Sequence, residues 1–497
     1  MSNFWILFNW YIYMERSGFW KIFWFTKDNR RVWILLWIWF LFWLYRLWYF
    51  VGNEIPLGYD PGMYKWIFVE YSKILWSFDF SLLPRWIRHE PLLGTIMAIL
   101  GKIWANFDWR LTRWIWIINL IPWILIFVLL KKENKRMWTI GAWLYWMSIV
   151  WYQVFWRWYF KQIIAVNLML VILIFIQKKK VLRQSILFLI IIVLHKHTAL
   201  YTWAILFGSW VFERYTSKKI PWKQTIFRGL AWIIGLSMYS PIWNQIMSEA
   251  VKATGTIVAS KTDWDFLTRS DYIWFQWLII LFSLMWIAWK CLKKKFDVLD
   301  IWYIIWALWL ILKVVNYNRA IVFFDIFVVI LAAYGIWNLY KFVCEKWETK
   351  KFWLFIFIVI TFAAGFNYIV HIKINAKPLI SQEEFKAIKN IGNIIEENAI
   401  IINSHRNYTP WIMGWSQRDY INPGMAALDK RNHAERIKRW ENDGNYKCEI
   451  LGKSYSELKQ PLYLWLGQNQ FPENLSNGNC FELYKQGDSR VLWKINL

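Results

Sequence analysis

The chain has 497 residues, of which 58% are hydrophobic and 19% are charged, and its formal net charge is +26. Soluble domains typically have about 45–50% apolar and about 25% charged residues, so the long apolar runs exclude an ordinary soluble protein and indicate a multi-spanning membrane protein. The positive charge does not indicate nucleic-acid binding, because Lys and Arg form short clusters between apolar segments and no base-reading basic face.

Tryptophan is unusually abundant, with 44 residues against only 21 glycines. The tryptophans occur throughout apolar runs such as "VWILLWIWFLFWLY", although tryptophan normally collects at the membrane interface. Contacts between membrane helices instead favour small residues. One hypothesis is therefore that many of these codons are UGA, which some bacterial lineages read as glycine; the alternative is a truly tryptophan-rich chain.

The apolar runs predict about eleven transmembrane helices, some of them shorter than the roughly 20 residues that a full span prefers. The N-terminal residues 1–13 are apolar but lack a basic leader and a small-residue cleavage site, so we expect no cleavable signal peptide. The predicted spans are 33–51, 114–130, 137–152, 162–177, 185–195, 199–212, 228–243, 272–289, 298–315, 320–340 and 353–371.

The basic clusters predict the sidedness of these spans. If the chain starts in the cytoplasm, all of the clusters lie on the cytoplasmic side, as the positive-inside rule requires. We therefore expect a multi-pass protein of the cell membrane with a cytoplasmic N-terminus. The clusters are "KDNRR", "KKENKR", "KKKVLR", "ERYTSKK", "KCLKKK" and "KFVCEKWETKK".

The first predicted external loop, residues 53–113, is long and partly apolar. Its segments "KWIFVEYSKILW" and "PLLGTIMAILGKIW" are too short or too broken to span, and they favour helices that lie along the outer membrane surface. Residues 1–371 are then a transmembrane domain of all-α class.

Residues 372–497 contain no further span and predict a small extracytoplasmic α/β domain. The segment "SQEEFKAIKNIGNIIEENA" starts with an S-x-x-E capping box and repeats its apolar residues at helical spacing. "IIIN" and "PLYLWLG" are typical of buried strands, and "NHAERIKRWEN" is typical of a helix.

The four cysteines agree with this topology. Cys291 and Cys344 lie in predicted cytoplasmic clusters, where thiols stay reduced. Cys448 and Cys480 both lie in the predicted external domain. They either form a disulfide or remain unpaired.

Two acids of the first external loop are the candidate catalytic residues. Asp60, in "GYDPGMY", has neighbours Gly58, Pro61 and Gly62 that indicate a fixed turn. Glu90 lies in "RHEPLLG". Either acid could instead only cap a surface helix.

Cations on the predicted outer face are the candidate substrate-binding residues. The arginines and lysines could instead be snorkelling anchors or contacts to membrane lipids, and "HKHT" could be a simple polar turn. No metal ligand set is recognisable, so we assign no metal. The cations are Arg85, Arg88, Arg157, Lys161, His195, Lys196 and Arg319.

The arrangement of these segments resembles the GT-C superfamily of membrane glycosyltransferases, which includes the aminoarabinose and protein O-mannosyl transferases. "GYDPGMY" is similar to the acidic motif that follows the first helix in that family, and "HEPLLG" to its "HPPL"-like segment. "FWRWYFKQIIAVNLMLVIL", "LHKHTALYTWAILFG" and "NRAIVFFDIFVVILAAYGI" resemble later spans of the family, and "TPWIMGWSQRDYINPGM" resembles its external domain.

This resemblance implies an enzyme that moves a sugar from a polyprenyl-phosphate carrier to an acceptor on the outer face of the membrane. The acceptor is a protein, a glycan or a lipid. Asp60 is then the first choice for the general base and Glu90 the second, while the cations bind the departing lipid phosphate.

The sequence also departs from the family. Close relatives often carry paired acids at the first motif, whereas Asp60 is followed by Pro61. A divalent metal cofactor is therefore left unassigned.

The alternative function is a transporter or flippase of lipid-linked envelope precursors. Such a protein would carry charged residues within its spans, often with internal repeats. Only Asp325 and Lys313 stand out there, and the sequence shows no repeat.

Overall fold

The structure of the chain is a computed structural model, and all of the residues described belong to one compact unit within 50–497. The main described ranges are 61–77, 91–103, 121–126, 128–130, 143–145, 148–156, 160–218, 222–238, 269–312, 317–344, 379–403, 408–421, 460–467, 481–487 and 490–495. Single residues between 55 and 141 are described as well.

Two helices lie in the predicted first external loop, as the sequence indicates. Helix α1 covers Pro61–Ile74 and helix α2 covers Pro91–Ile103, and the two helices pack against each other. Each begins with proline, whose fixed backbone angle suits the first helical position. Helix α1 is more buried than a surface helix would be, because one of its faces is covered by other parts of the protein.

The apolar part of the described chain contains eight further helices, and residues 121–126 and 128–130 are helical as well. Seven of them coincide with predicted spans between 162 and 340, which confirms those spans as helices. The eight are α3 (Ile149–Trp156), α4 (Phe160–Gln177), α5 (Val181–Leu194), α6 (Lys196–Ser217), α7 (Trp222–Met238), α8 (Arg269–Lys293), α9 (Val298–Ile311) and α10 (Tyr317–Cys344).

Three helical segments in the described part of the chain are long and apolar enough to cross a membrane: Phe160–Gln177, Ser270–Lys293 and Ala320–Phe342. Helices α5 and α9 are apolar but shorter. Two predicted spans, 33–51 and 353–371, lie outside the described residues. The count of about eleven spans therefore stays a prediction.

Helix α10 is the central helix of this part. Its apolar segment is 94% buried, whereas the corresponding segment of α8 is only 33% buried. Helices α8 and α9 both pack on α10. The α8–α10 contact is very close, because a Cβ atom on Gly335 would overlap the backbone carbonyl of Phe282. Small residues allow membrane helices to approach in this way.

The described residues from 379 onwards form helices and a small sheet, which we call the C-terminal domain. Its helices are α11 (Gln382–Ile391) and α12 (Thr409–Trp415). The strands are β1 (Ile400–Asn403), β2 (Asp419–Ile421), β3 (Leu462–Leu466), β4 (Phe481–Gly487) and β5 (Arg490–Ile495), in the sheet order β2-β1-β3-β5-β4.

The sheet is mixed, with parallel strands on one side and antiparallel strands on the other. Strand β1 pairs in parallel with β2 and β3, and Ile401 lies opposite Tyr463. Strand β5 pairs antiparallel with β3 and β4. The predicted strands "IIIN" and "PLYLWLG" are β1 and β3, and both are fully buried.

The predicted capping box starts α11. The Ser381 hydroxyl accepts a hydrogen bond from the Glu384 backbone N–H at 3.1 Å, and the Glu384 carboxylate accepts one from the Ser381 backbone N–H at 2.8 Å. This reciprocal pair satisfies two backbone donors that have no partner within the helix. The segment "NHAERIKRWEN" lies outside the described residues, and so do Cys448 and Cys480, whereas Cys291 is a free, exposed thiol.

Candidate functional site

The candidate site is centred on the first turn of α1, since Asp60 is the residue directly before Pro61. Asp60 itself lies outside the described residues, but the turn that follows it is described. Glu90 has the same relation to the other loop helix, because it directly precedes Pro91 of α2. Both candidate acids therefore stand next to a helix that begins with proline.

Lys161, at the start of α4, is brought to this turn. Its Nζ atom lies 5.8 Å from the centroid of the Tyr64 ring. The adjacent Phe160 packs against Tyr64 and Phe68 of α1, with ring centroids 5.9 Å and 6.5 Å apart. One predicted phosphate-binding cation thus lies near Tyr64, in the helical turn that begins directly after Asp60. An aromatic face also attracts the ammonium group.

His195 is buried and caps a helix. It is the N-cap of α6, and its Nδ1 atom accepts a hydrogen bond from the Thr198 backbone N–H at 3.2 Å. The same nitrogen lies 2.7 Å from the Thr198 hydroxyl. The sequence treats "HKHT" as a loop between spans. That prediction is wrong for residues 196–198, which are helical because His195 caps them.

The other predicted cations are described only in part. Lys196 and Arg319 lie in the first turns of α6 and α10, where the backbone is described but their side chains are not. The remaining candidates lie outside the described residues; they are Arg85, Arg88 and Arg157. Their roles in substrate binding stay predictions.

The C-terminal domain contacts the candidate site directly. Helix α12 packs against α1, and Lys65 lies with its Nζ atom 4.7 Å from the centroid of the Trp415 ring. Trp66 meets Tyr420 edge to face at 6.1 Å. This contact could not be predicted from the sequence, because the residues of a short apolar helix do not indicate which other segment it packs against.

A buried polar cluster around Asp325 was also not predicted. The Asp325 carboxylate in α10 accepts hydrogen bonds from the Ser148 hydroxyl at 2.6 Å and from the Tyr272 hydroxyl at 3.1 Å. Gln276 donates to the Ser148 hydroxyl at 3.1 Å. The cluster joins α8 and α10 to the start of α3. An aspartate within a span was the only sequence signal for it.

No group of three or more metal-ligating side chains occurs among the described residues. The described part of the site offers a cation, aromatic rings and helix starts. Cations near a helix N-terminus are suited to binding a phosphate group.

The chain is similar to known proteins in its overall fold. No protein-family model and no curated protein matches the sequence. The structure of ArnT from Cupriavidus metallidurans in the apo state is similar, with a TM-score of 0.57 and 11% identity over 94% of this chain and 98% of that chain. The same protein bound to undecaprenyl phosphate matches with a TM-score of 0.53, again at 11% identity and the same coverage.

The similarity extends over the helical part and the C-terminal domain, since it covers nearly the full length of both chains. ArnT is an aminoarabinose transferase of the GT-C type. The resemblance seen in the short sequence motifs is thus confirmed at the level of the fold. The chain has the fold of ArnT.

Proposed function

We propose that this chain is an integral-membrane glycosyltransferase that moves a sugar from a polyprenyl-phosphate carrier to an acceptor on the outer face of the membrane. The observation that carries the proposal is the match of 94% of the chain to ArnT, including ArnT bound to undecaprenyl phosphate. The acceptor is a hydroxyl or amine of a protein, glycan or lipid.

The proposed general base is Asp60, with Glu90 as second choice. A general base must lie within hydrogen-bond reach of the acceptor proton. Asp60 adjoins the first turn of α1, which packs against α4 and the C-terminal domain. Glu90 has the same relation to α2, because it directly precedes Pro91 at the start of that helix.

The departing lipid phosphate is an anion that fixed cations would stabilise. Lys161 is the candidate best supported by geometry, because its ammonium group lies near Tyr64 of α1. The partners proposed on sequence grounds are Arg85, Arg88, Arg157, His195, Lys196 and Arg319. Membrane lipids are the alternative partners of the arginines and lysines of this set.

The outer-face location follows from the predicted topology. If the basic clusters are cytoplasmic, the loop with Asp60 and the C-terminal domain are both outside. Nucleotide sugars are cytoplasmic, so a lipid-linked sugar is the donor that this side favours. We accordingly propose a cell-membrane protein made of a transmembrane domain, 1–371, and an extracytoplasmic domain, 372–497.

The first test is mass spectrometry of envelope glycans and lipid-linked sugars from cells with and without the gene. Loss of a glycosylated product, with accumulation of its lipid-linked donor on the outer face, supports the transferase. Accumulation of the donor on the cytoplasmic face instead supports the transporter or flippase.

The second test is the substitution Asp60→Asn. We expect transfer to fall by about 100-fold to 10,000-fold, since that is the usual contribution of a general base, while binding of undecaprenyl phosphate stays unchanged. The matched control is Asp79→Asn, which alters an exposed acid of the same loop and should leave transfer unchanged. If the Asp60 variant kept its full sugar-transfer activity, Glu90 would be the general base instead.

A further inference from the structure

The contact between α1 and α12 includes a close approach of backbone atoms. A Cβ atom on Gly62 would overlap the carbonyl oxygen of Pro410. Across the same contact, a Cβ atom on Gly414 would lie 2.6 Å from the Gly62 carbonyl oxygen and 2.8 Å from the Gly62 Cα. Real Cβ atoms do not approach so closely, so both positions require glycine. Glycine within a helix costs about 1 kcal/mol relative to alanine, and close packing is the usual reason for it.

The C-terminal domain holds α12 firmly on its other side. The Tyr408 hydroxyl, at the N-cap of α12, donates a hydrogen bond to the Glu384 carboxylate of α11 at 2.6 Å. Asn403 at the end of β1 donates to the Thr409 hydroxyl at 3.0 Å. Helix α12 is therefore fixed to both α11 and the sheet.

The other side of the contact is the first turn of α1. Gly62 lies two residues after Asp60, and Tyr64 in the same turn contacts Phe160 of α4. The position of this turn is thus determined from two directions, by α4 and by the C-terminal domain. Removing either contact leaves the start of the helix with one support.

We propose that the C-terminal domain is a positioning element of the candidate site, which holds the first turn of α1 in place through the backbone contact of Gly62 with Pro410 and Gly414. Gly62 and Gly414 are positioning residues in this proposal. Their effect on catalysis rests on the proposed function of Asp60, whereas their effect on α1 does not.

The test is hydrogen–deuterium exchange of the full-length protein with the substitution Gly414→Ala. We expect the amides of residues 62–74 to exchange about tenfold faster, which corresponds to about 1.4 kcal/mol, because the added methyl group forces the two backbones apart. Exchange in α10 should stay unchanged. The control is Gly229→Ala, since no heavy atom lies within 4 Å of a Cβ atom at that position. Unchanged exchange in α1 would overturn the proposal.

A second variant covers the case in which Gly414→Ala fails to insert. Lys65→Met removes the contact with the Trp415 ring and leaves both glycines in place. It should accelerate exchange in α1 by a smaller factor, about threefold, in keeping with the lower end of the energies of cation–π contacts. No acceleration would likewise overturn the proposal.

The effect of this contact on catalysis is tested by a separate measurement. In the Gly414 variant, the kcat for sugar transfer should fall about tenfold, while the affinity for undecaprenyl phosphate stays the same. Full kcat together with faster exchange in α1 would overturn the positioning role. Absence of transfer by the unmodified protein would refute the proposed function alone, and the exchange experiment would still decide whether the C-terminal domain holds α1.

Discussion

Two tyrosine–carboxylate pairs occur in different surroundings in this protein. In the helical part, the Tyr272 hydroxyl donates to Asp325 at 3.1 Å, and both residues are completely or almost completely buried. In the C-terminal domain, the Tyr463 hydroxyl donates to Glu396 at 2.7 Å, but Glu396 is exposed. The two hydrogen bonds should therefore contribute different free energies, because water can reach the carboxylate of only the second pair.

The buried pair also connects more of the structure. Asp325 accepts a second hydrogen bond from Ser148, so that three separate segments depend on one carboxylate. The backbone groups of membrane helices are satisfied within each helix. Side-chain hydrogen bonds are then free to join one helix to another. In the C-terminal domain, strand pairing already joins the elements, and the Glu396 pair adds little.

The prediction with the largest expected effect concerns the codons of the buried tryptophans. Several buried tryptophans have an indole N–H without an acceptor in the described structure, including Trp286, Trp306, Trp411 and Trp465. An unsatisfied buried donor costs about 1–3 kcal/mol. If UGA is read as glycine, we expect most of these codons to be UGA, and peptide mass spectrometry of the native protein to find glycine there. UGG codons throughout would refute the hypothesis.

The next largest effect is expected for Asp325→Leu. The substitution leaves the Ser148 and Tyr272 hydroxyls buried without their acceptor. We expect the free energy of unfolding in detergent to fall by about 3 kcal/mol. The control is Asp271→Leu, which changes an exposed acid near the start of the same helix as Tyr272. Equal stability of the two variants would mean that the buried cluster does not join the helices.

The smallest effect is expected for Tyr463→Phe. The hydrogen bond from the Tyr463 hydroxyl lowers the pKa of Glu396 below its ordinary value of 4.5. A lowered pKa stabilises the folded domain above that value, and this contribution is lost as the pH falls through the pKa of the folded state. Because Glu396 is exposed, we expect at most about 1 kcal/mol.

The measurement is urea unfolding of the C-terminal domain within the full-length protein, at neutral pH and below pH 4.5. The Tyr463 variant should be slightly less stable at neutral pH, and the difference should diminish in acid. If the Tyr463 variant lost as much stability as the Asp325 variant, the difference in burial would not explain the energies of the two pairs.

Features that depend on local sequence were predictable. The membrane class, the seven helices between 160 and 344, the capping box at Ser381 and the strands β1 and β3 all follow from hydropathy, periodicity and turn residues. Each of these signals is contained within a few consecutive turns or a single strand. Local backbone preference and side-chain polarity are sufficient to produce them.

Features that join distant segments were decided only by the tertiary structure. The Asp325 cluster brings together residues that are up to 177 positions apart, and Gly62 meets Gly414 across most of the chain. A glycine or an aspartate has the same local preference whatever it later contacts. Sequence alone therefore indicated which residues were unusual, whereas their partners were set by the packing of helices and sheet around them.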